Sequence, residues 1–195
     1  MTTASNNMHV NDFGIESAHW RNWVGNQSCV RAARGAPRSE DELCAMVRDA
    51  TTRGLNVRVA GSGHSFTPVA LTNGLHLTLA KMTGARHVDH KKRLVTASAG
   101  TTINELVGVL KREGLSMLNQ GDIDSQAIAG ALTTGTHGTG ARLPVLADAI
   151  VGMRLVQPNG EILVVDESTP DLLLASRVSL GTLGAISEMT LRVTD

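Results

Sequence analysis

Apolar positions along the chain recur with two periods, and those periods set the expected elements. Leu43, Met46, Val47 and Ala50 fall at i, i+3, i+4 and i+7, which is one face of a helix. Ser39 with Glu42 three residues on makes a capping box, Pro37 precedes it, and Gly54 ends the helix. CVRAA before this helix reads as a short strand and NVRVAG after it as another, so the chain opens β-α-β. GLHLTL, at 74–79, alternates and reads as a strand. RHVDHKKRLVTASAG reads as a hairpin with Val88, Leu94 and Val95 packing inward and HKKR at a solvated tip. Over 101–114, Ile103, Leu106, Val107 and Leu110 form the face of a second helix that stops at Gly114. DAIVGMRLVQPNGEILVVDES is a hairpin around Pro158-Asn159-Gly160. TPDLLLASRVSLG is a short helix capped by Thr169 or Ser168, and GAISEMTLRVTD alternates as a last strand.

Strands and helices alternate at first and hairpins then intervene, so the fold class is α+β rather than a doubly wound parallel sheet. Residues 1–19 read as a flexible segment, and the two tryptophans of WRNWVGNQ pack on the core edge or cover a neighbouring domain. A hydrophobic share of 42% against 18% charged residues supports a real core, and the zero net charge argues against a nucleic-acid partner. Cys29 and Cys44 make no CxxC and suggest no disulfide framework. With no signal-peptide pattern and no apolar run near the roughly 20 residues of a membrane helix, the expectation is a cytoplasmic protein.

Two glycine-rich loops share one design: GSGHSF, residues 61–66, after a strand, and TTGTHGTG, residues 133–140. Glycines let backbone amides converge on an anion with no Cβ in the way, and Ser and Thr hydroxyls add donors. Together the loops could clasp a pyrophosphate from two sides. No P-loop motif is present, and the GxGxxG fingerprint fails because Phe66 stands at the third glycine. HExxH and GxSxG are also absent, which argues against a zinc site and a serine nucleophile. His64 and His137 stand out by position, although a histidine in a glycine turn can simply bond backbone. His9, His19, His76, His87 and His90 read as surface or strand residues.

Three segments in order resemble a known family: RVAGSGHSFTPVALTNGLHLTLAKM, GTTINELVGVLKREGLSMLNQGDIDSQAIAGALTTGTHGTGARLP and SLGTLGAISEMTLRV. They are similar to the FAD-binding domain of the sugar-1,4-lactone oxidases and dehydrogenases, flavoproteins of the vanillyl-alcohol-oxidase (PCMH) type. The resemblance covers roughly residues 20–195 and implies two lobes, over about 20–84 and 85–195. It implies that the histidine of the GxGHS loop, here His64, bonds covalently to the flavin methyl carbon, although some members lack it and hold FAD without the bond. The chemistry is sensible, since neutral imidazole is a nucleophile near pH 7. By the same mapping Gly61, Ser62, Gly63, His64, Ser65 and Phe66 line the cofactor, as do Thr133, Thr134, Gly135, Thr136, His137 and Gly138. Gly121, Asp122, Gly130 and Ala131 join them from the intervening segment, and Gly184, Ala185 and Ile186 from the last strand. A glycine at the position of Gly121 suggests dioxygen access to the flavin.

The implied activity is hydride transfer from a sugar lactone or polyol to FAD, with electrons passing to dioxygen or another acceptor. In the family a substrate-covering domain follows the last strand, and none is found in these 195 residues. Beyond the flavin, no catalytic residue is expected here. Two other expectations stand beside the enzyme reading: a flavin-binding module served by a separate chain that carries the substrate domain, or an inactive fragment.

Overall fold

The computed structural model describes residues 19–195. Most of the segment read as flexible, 1–19, and with it His9, lies outside the described residues. The strands are β1 (His19–Arg21), β2 (Ser28–Val30), β3 (Ala33–Gly35), β4 (Val57–Val59), β5 (Leu75–Leu77), β6 (Ala85–Asp89) and β7 (Leu94–Ser98). They continue with β8 (Ser116–Met117), β9 (Ile150–Val156), β10 (Ile162–Asp166) and β11 (Ala185–Thr194). The helices are α1 (Glu40–Thr52), α2 (Ile103–Arg112), α3 (Ile128–Thr133) and α4 (Pro170–Arg177).

Among the described residues the strands make three sheets. β1 and β2 form a hairpin, and β3-β5-β4 is a small parallel sheet. The large antiparallel sheet runs β10-β9-β11-β7-β6, with β8 pairing β11 off that path. β11 is thus an inner strand, so the large sheet closes only when residues 185–194 sit between β9 and β7. One contiguous apolar core joins the two larger sheets. Mixed helices with separate parallel and antiparallel sheets are the α+β class expected.

α1 forms where its capping signals place it. Ser39 Oγ accepts from Glu42 N at 3.2 Å, and Leu43, Met46, Val47 and Ala50 are all buried. Glu42 does not complete the box on Ser39; its carboxylate accepts from Arg38 N at 2.7 Å instead. α2 has the full box, Thr102 with Glu105, and its face of Ile103, Leu106 and Leu110 is buried, with Val107 partly so. Both helices end before a glycine at positive φ, Gly54 and Gly114. The HKKR tip lies exposed between β6 and β7, with Val95 fully buried, Val88 partly buried against the core and Leu94 half-buried at the turn. Thr169 takes the N-cap position of α4 ahead of Pro170.

α1 also fastens the small sheet to the large one. Arg154 on β9 donates to both oxygens of Glu40 at 2.9 and 2.7 Å. Ser187, where the β11–β9 register shifts, donates to Glu40 Oε1 at 2.5 Å. The Arg154 hydrogen bonds hold the Glu40 carboxyl below the usual carboxylate range, against the opposing effect of burial. Arg48, one helical face further on, donates to Asn159 O at 3.0 Å in the β9–β10 turn.

One local expectation changes. CVRAA is not one strand: β2 ends at Val30 and β3 starts at Ala33, in a different sheet. GLHLTL is a strand as read, β5, and both of its faces are covered. His76 is therefore buried at 3% exposure, stacked on Trp20 with ring centroids 4.9 Å apart, and its Nε2 has no partner among the described residues. Burial, with the charges of Arg31 and Arg34 nearby, pushes its imidazole down to about 4.

The unfolded chain takes up a proton here near the ordinary histidine range, while the folded chain resists it until about pH 4. Stability from this group is therefore complete above the ordinary value and is lost as pH falls from there toward about 4. Urea unfolding at pH 7.5 and pH 5 should show the native chain losing roughly 2 kcal/mol that a His76→Leu variant does not lose. Equal pH slopes for the two would overturn this account of His76.

Candidate functional site

A cleft of about 720 Å³ opens between the two larger sheets. That lies within the range of cofactor pockets, roughly 300–1,000 Å³. One wall is the end of β4 and the loop 61–65, and another is the segment Gln126–Thr134, which includes α3. The turn from Leu180 to Ile186 and the start of the β9–β10 turn close a third side, and Ala99-Gly100 lies between. A Cβ on Gly100 would sit 1.9 Å from Leu79 O, so only glycine lets these two backbone segments meet at the floor.

The loop 61–65 is fixed from two directions. Ser62 Oγ donates to Ser125 O at 2.6 Å and accepts from Ala127 N at 3.2 Å, tying the loop to the start of α3. From the other side the β1–β2 turn takes its carbonyls. Trp23 N donates to Gly63 O at 2.8 Å, and the buried Asn22 donates through Nδ2 to Ser65 O at 3.0 Å. Asn26 Nδ2 and Gln27 Nε2 both donate to Phe66 O, at 3.2 and 3.1 Å. The peptides of the described residues are trans, so the amides that follow the engaged carbonyls, those of His64, Phe66 and Thr67, point away from the hairpin. Among the described residues, none of the amides of residues 61–65 donates to a protein acceptor. The loop thus leaves N–H donors without protein acceptors in the lining of the cleft, with Gly63 at φ +71 to make the bend.

His64 stands in this loop at the cleft lining. Its Nε2 is 3.3 Å from Ser125 Oγ, and its ring packs on Trp23 with centroids 4.9 Å apart. Trp23 itself is 67% exposed, so the imidazole is held by an indole at the surface and not in the core. Gln126 also lines the cleft, and its Oε1 is buried with no hydrogen-bond partner among the described residues.

The residues expected from the sequence fall into two groups. Gly61 to Ser65, Gly130, Ala131, Thr133, Thr134, Gly184, Ala185 and Ile186 all line the cleft. Phe66, Gly121, Asp122, Gly135, Thr136, His137 and Gly138 are not in its lining. Several of the latter form a neighbouring loop cluster: a Cβ on Gly138 would meet Gln120 O at 2.3 Å, and one on Gly121 would meet Thr136 Cγ2 at 3.1 Å. His137 is exposed there, with Nδ1 2.9 Å from Gly138 O. Sequence reasoning did not single out Trp23, Ser125, Gln126 or Gly100. Only the position of Ser125 and Gln126 just ahead of the small-residue run AIAGA hinted at a lining role.

Ser62 carries the link between loop and helix. Ser62→Ala should leave Ala127 N–H without its partner and lower unfolding stability by about 1–2 kcal/mol. Amide exchange at residues 61–65 should quicken with it. Unchanged exchange in that variant would show that the loop is held without Ser62.

Comparison with known proteins bears on which ligand this cleft takes. The family described as "FAD binding domain" matches residues 32–166. The chain is 44% identical over 173 residues to L-gulono-1,4-lactone dehydrogenase of Mycobacterium tuberculosis, covering 89% of this chain and 40% of that one. It is 35% identical to the mitochondrial L-galactono-1,4-lactone dehydrogenase of Arabidopsis thaliana, over 88% of this chain and 28% of that one. The chain thus spans two fifths or less of these curated relatives. Among solved structures, 6-hydroxy-D-nicotine oxidase of Arthrobacter nicotinovorans superposes with a TM-score of 0.75 at 23% identity, over 83% of this chain and 36% of that one. At that identity the likeness shows the fold alone.

Proposed function

Because the chain belongs to the FAD-binding-domain family and has the vanillyl-alcohol-oxidase-type fold with FAD as its cofactor, we propose that it is the flavin-holding part of an oxidoreductase acting on a sugar-1,4-lactone or a polyol. The unspent amides of residues 61–65 at the rim of the cleft carry this reading. They suit the pyrophosphate of a dinucleotide, which needs donors at close backbone approach and no lysine. The apolar lining suits the planar rings. When bound, FAD supplies a two-electron acceptor for the hydride of a CH–OH group, and dioxygen or another acceptor then takes the electrons.

The role of this chain's residues is to bind and orient. Residues 61–65 hold the phosphates, Gly130 and Ala131 allow close approach along α3, and Gly184 to Ile186 offer backbone at the opposite wall. The loop cluster of Gly121, Asp122 and Thr136 to Gly138 sits beside the cleft, and in this reading it meets the part of the flavin that projects from it. His64 would hold the flavin covalently through its methyl carbon, with an imidazole nitrogen as the nucleophile that this chain supplies. Trp23 and Ser125 restrict the imidazole to a narrow range of orientations for that bond. The lactone substrate is proposed from the names of the relatives, and a glycine at Gly121 favours dioxygen as the acceptor. Free thiols at Cys29 and Cys44 are in keeping with a cytoplasmic setting.

The test begins with the purified chain supplied with FAD and then precipitated in acid. Flavin colour should stay with the pellet, and a His64→Ala variant should release it to the supernatant while still binding FAD before the acid step. Colour that leaves the native chain on precipitation would remove the covalent bond from the proposal. A chain that takes up no FAD at all would remove the whole reading. Anaerobic addition of L-gulono-1,4-lactone to the flavin-loaded chain then reads turnover: bleaching of the flavin band supports oxidation by this chain, and its absence assigns the chain to cofactor binding alone.

A further inference from the structure

Beyond the glycines, two described residues have backbone in the left-handed region, Arg93 and Leu180, both at φ +53. Arg93 sits in a hairpin tip where its side chain pairs with Asp195. Leu180 has no such partner and lies at the mouth of the cleft. Thr182 N donates to Ser179 O at 2.9 Å, and with Leu180 and Gly181 both at positive φ the four residues make a mirror-image turn of the hairpin type. Such turns favour Asn or Gly at the first central position, and a γ-branched leucine is strained there. The turn is nonetheless firmly held. Ser179 is buried, Thr182 Oγ1 donates to Ser179 O at 2.7 Å, and Leu180 N donates to Thr133 O at 3.3 Å.

The strain brings the protein no burial. Leu180 is 47% exposed, and Val178 beside it is 51% exposed. A leucine held in an unfavourable backbone conformation and left half in water is not accounted for by the fold alone. Its place in the cleft supplies the missing contact. α3 joins the two ends of the site: Ala127, at its start, is bonded to Ser62, and Thr133, at its end, is bonded to Leu180. At 1.5 Å per residue the two points lie about 9 Å apart along the helix. The phosphate-type donors of residues 61–65 are thus at one end and an apolar side chain on a rigid turn is at the other.

We propose that Leu180 is a positioning contact for the bound flavin nucleotide, its side chain presented by the strained turn to pack against a ring face. This rests on the FAD reading given above. Burial of the side chain against the ligand offsets the strain of its backbone.

The test measures flavin affinity and thermal unfolding for Leu180→Gly, Leu180→Asn and Leu180→Met, all in a His64→Ala background that keeps binding reversible. Glycine and asparagine accept positive φ, so Leu180→Gly should melt roughly 2 °C higher than its parent without ligand. Both should bind FAD roughly tenfold more weakly, and Leu180→Met should stay within about twofold of the parent. FMN is titrated in parallel. Equal losses for FAD and FMN put the contact on the isoalloxazine, and a loss for FAD alone puts it on the adenine; both outcomes support the proposal. Unchanged FAD and FMN affinity in the Gly and Asn variants overturns it while leaving the flavin reading intact. A parent that binds no flavin overturns both.

Discussion

Peptide polarity in one short loop governs what this cleft can do. A trans peptide directs its carbonyl and the next amide to opposite sides, so a loop can offer donors to a ligand only if something else takes its acceptors. Here the β1–β2 turn takes them, through Trp23 N, Asn22, Asn26 and Gln27 on the carbonyls of Gly63, Ser65 and Phe66. Asn22 is itself buried and braced by Asn26 Oδ1 and by Gln27 N, so the acceptor side is satisfied by a rigid network rather than by water. Ser62 then fixes the loop's position along α3. The chemistry of the site follows from that arrangement: donors without charge, close backbone approach, and a histidine presented at the surface.

The cleft also depends on the two larger sheets staying in register with one another. Its walls come from β4, from the stretch ahead of α3 and from the start of β11, which are far apart in the chain. The Glu40–Arg154–Ser187 cluster is one tie between them, with α1 anchored at its first turn to β9 and at the register shift of β11. The pair is partly exposed, which limits its strength, but its bidentate geometry fixes orientation. Ligand held by both walls adds to the same coupling, because anything that binds only the assembled cleft stabilises that assembly.

Parts of this fold were legible from short-range rules. α1 and α2 carry caps, a 3.6-residue apolar face and a glycine stop within fewer than twenty residues, and each forms where those signals agree. The β9–β10 hairpin announces itself by Pro158-Asn159-Gly160 between alternating runs. α3 did not, since six residues of Ile, Ala, Gly, Leu and Thr have no cap hydrogen bond and no periodicity to detect. The three-residue β1 is equally silent, because its stability lies in the loop the hairpin clamps and not in its own pattern.

The sequence by itself determined the α+β class, the positions of the capped helices, and, through three ordered motifs, the kind of cofactor loop present. Those features depend on residues close together in the chain, or on motif order, and both survive without coordinates. Tertiary structure decided the rest. It separated the glycine-rich residues into a cleft lining and a neighbouring cluster, because Gly138 must meet Gln120 and cannot at the same time face the cleft. It buried His76 by covering its face of β5, with Trp20 packed on the ring, and it brought Trp23 and Ser125 to His64 across 41 and 61 residues of chain. Contacts of that kind are fixed by the packing of whole elements against one another, which no local pattern records.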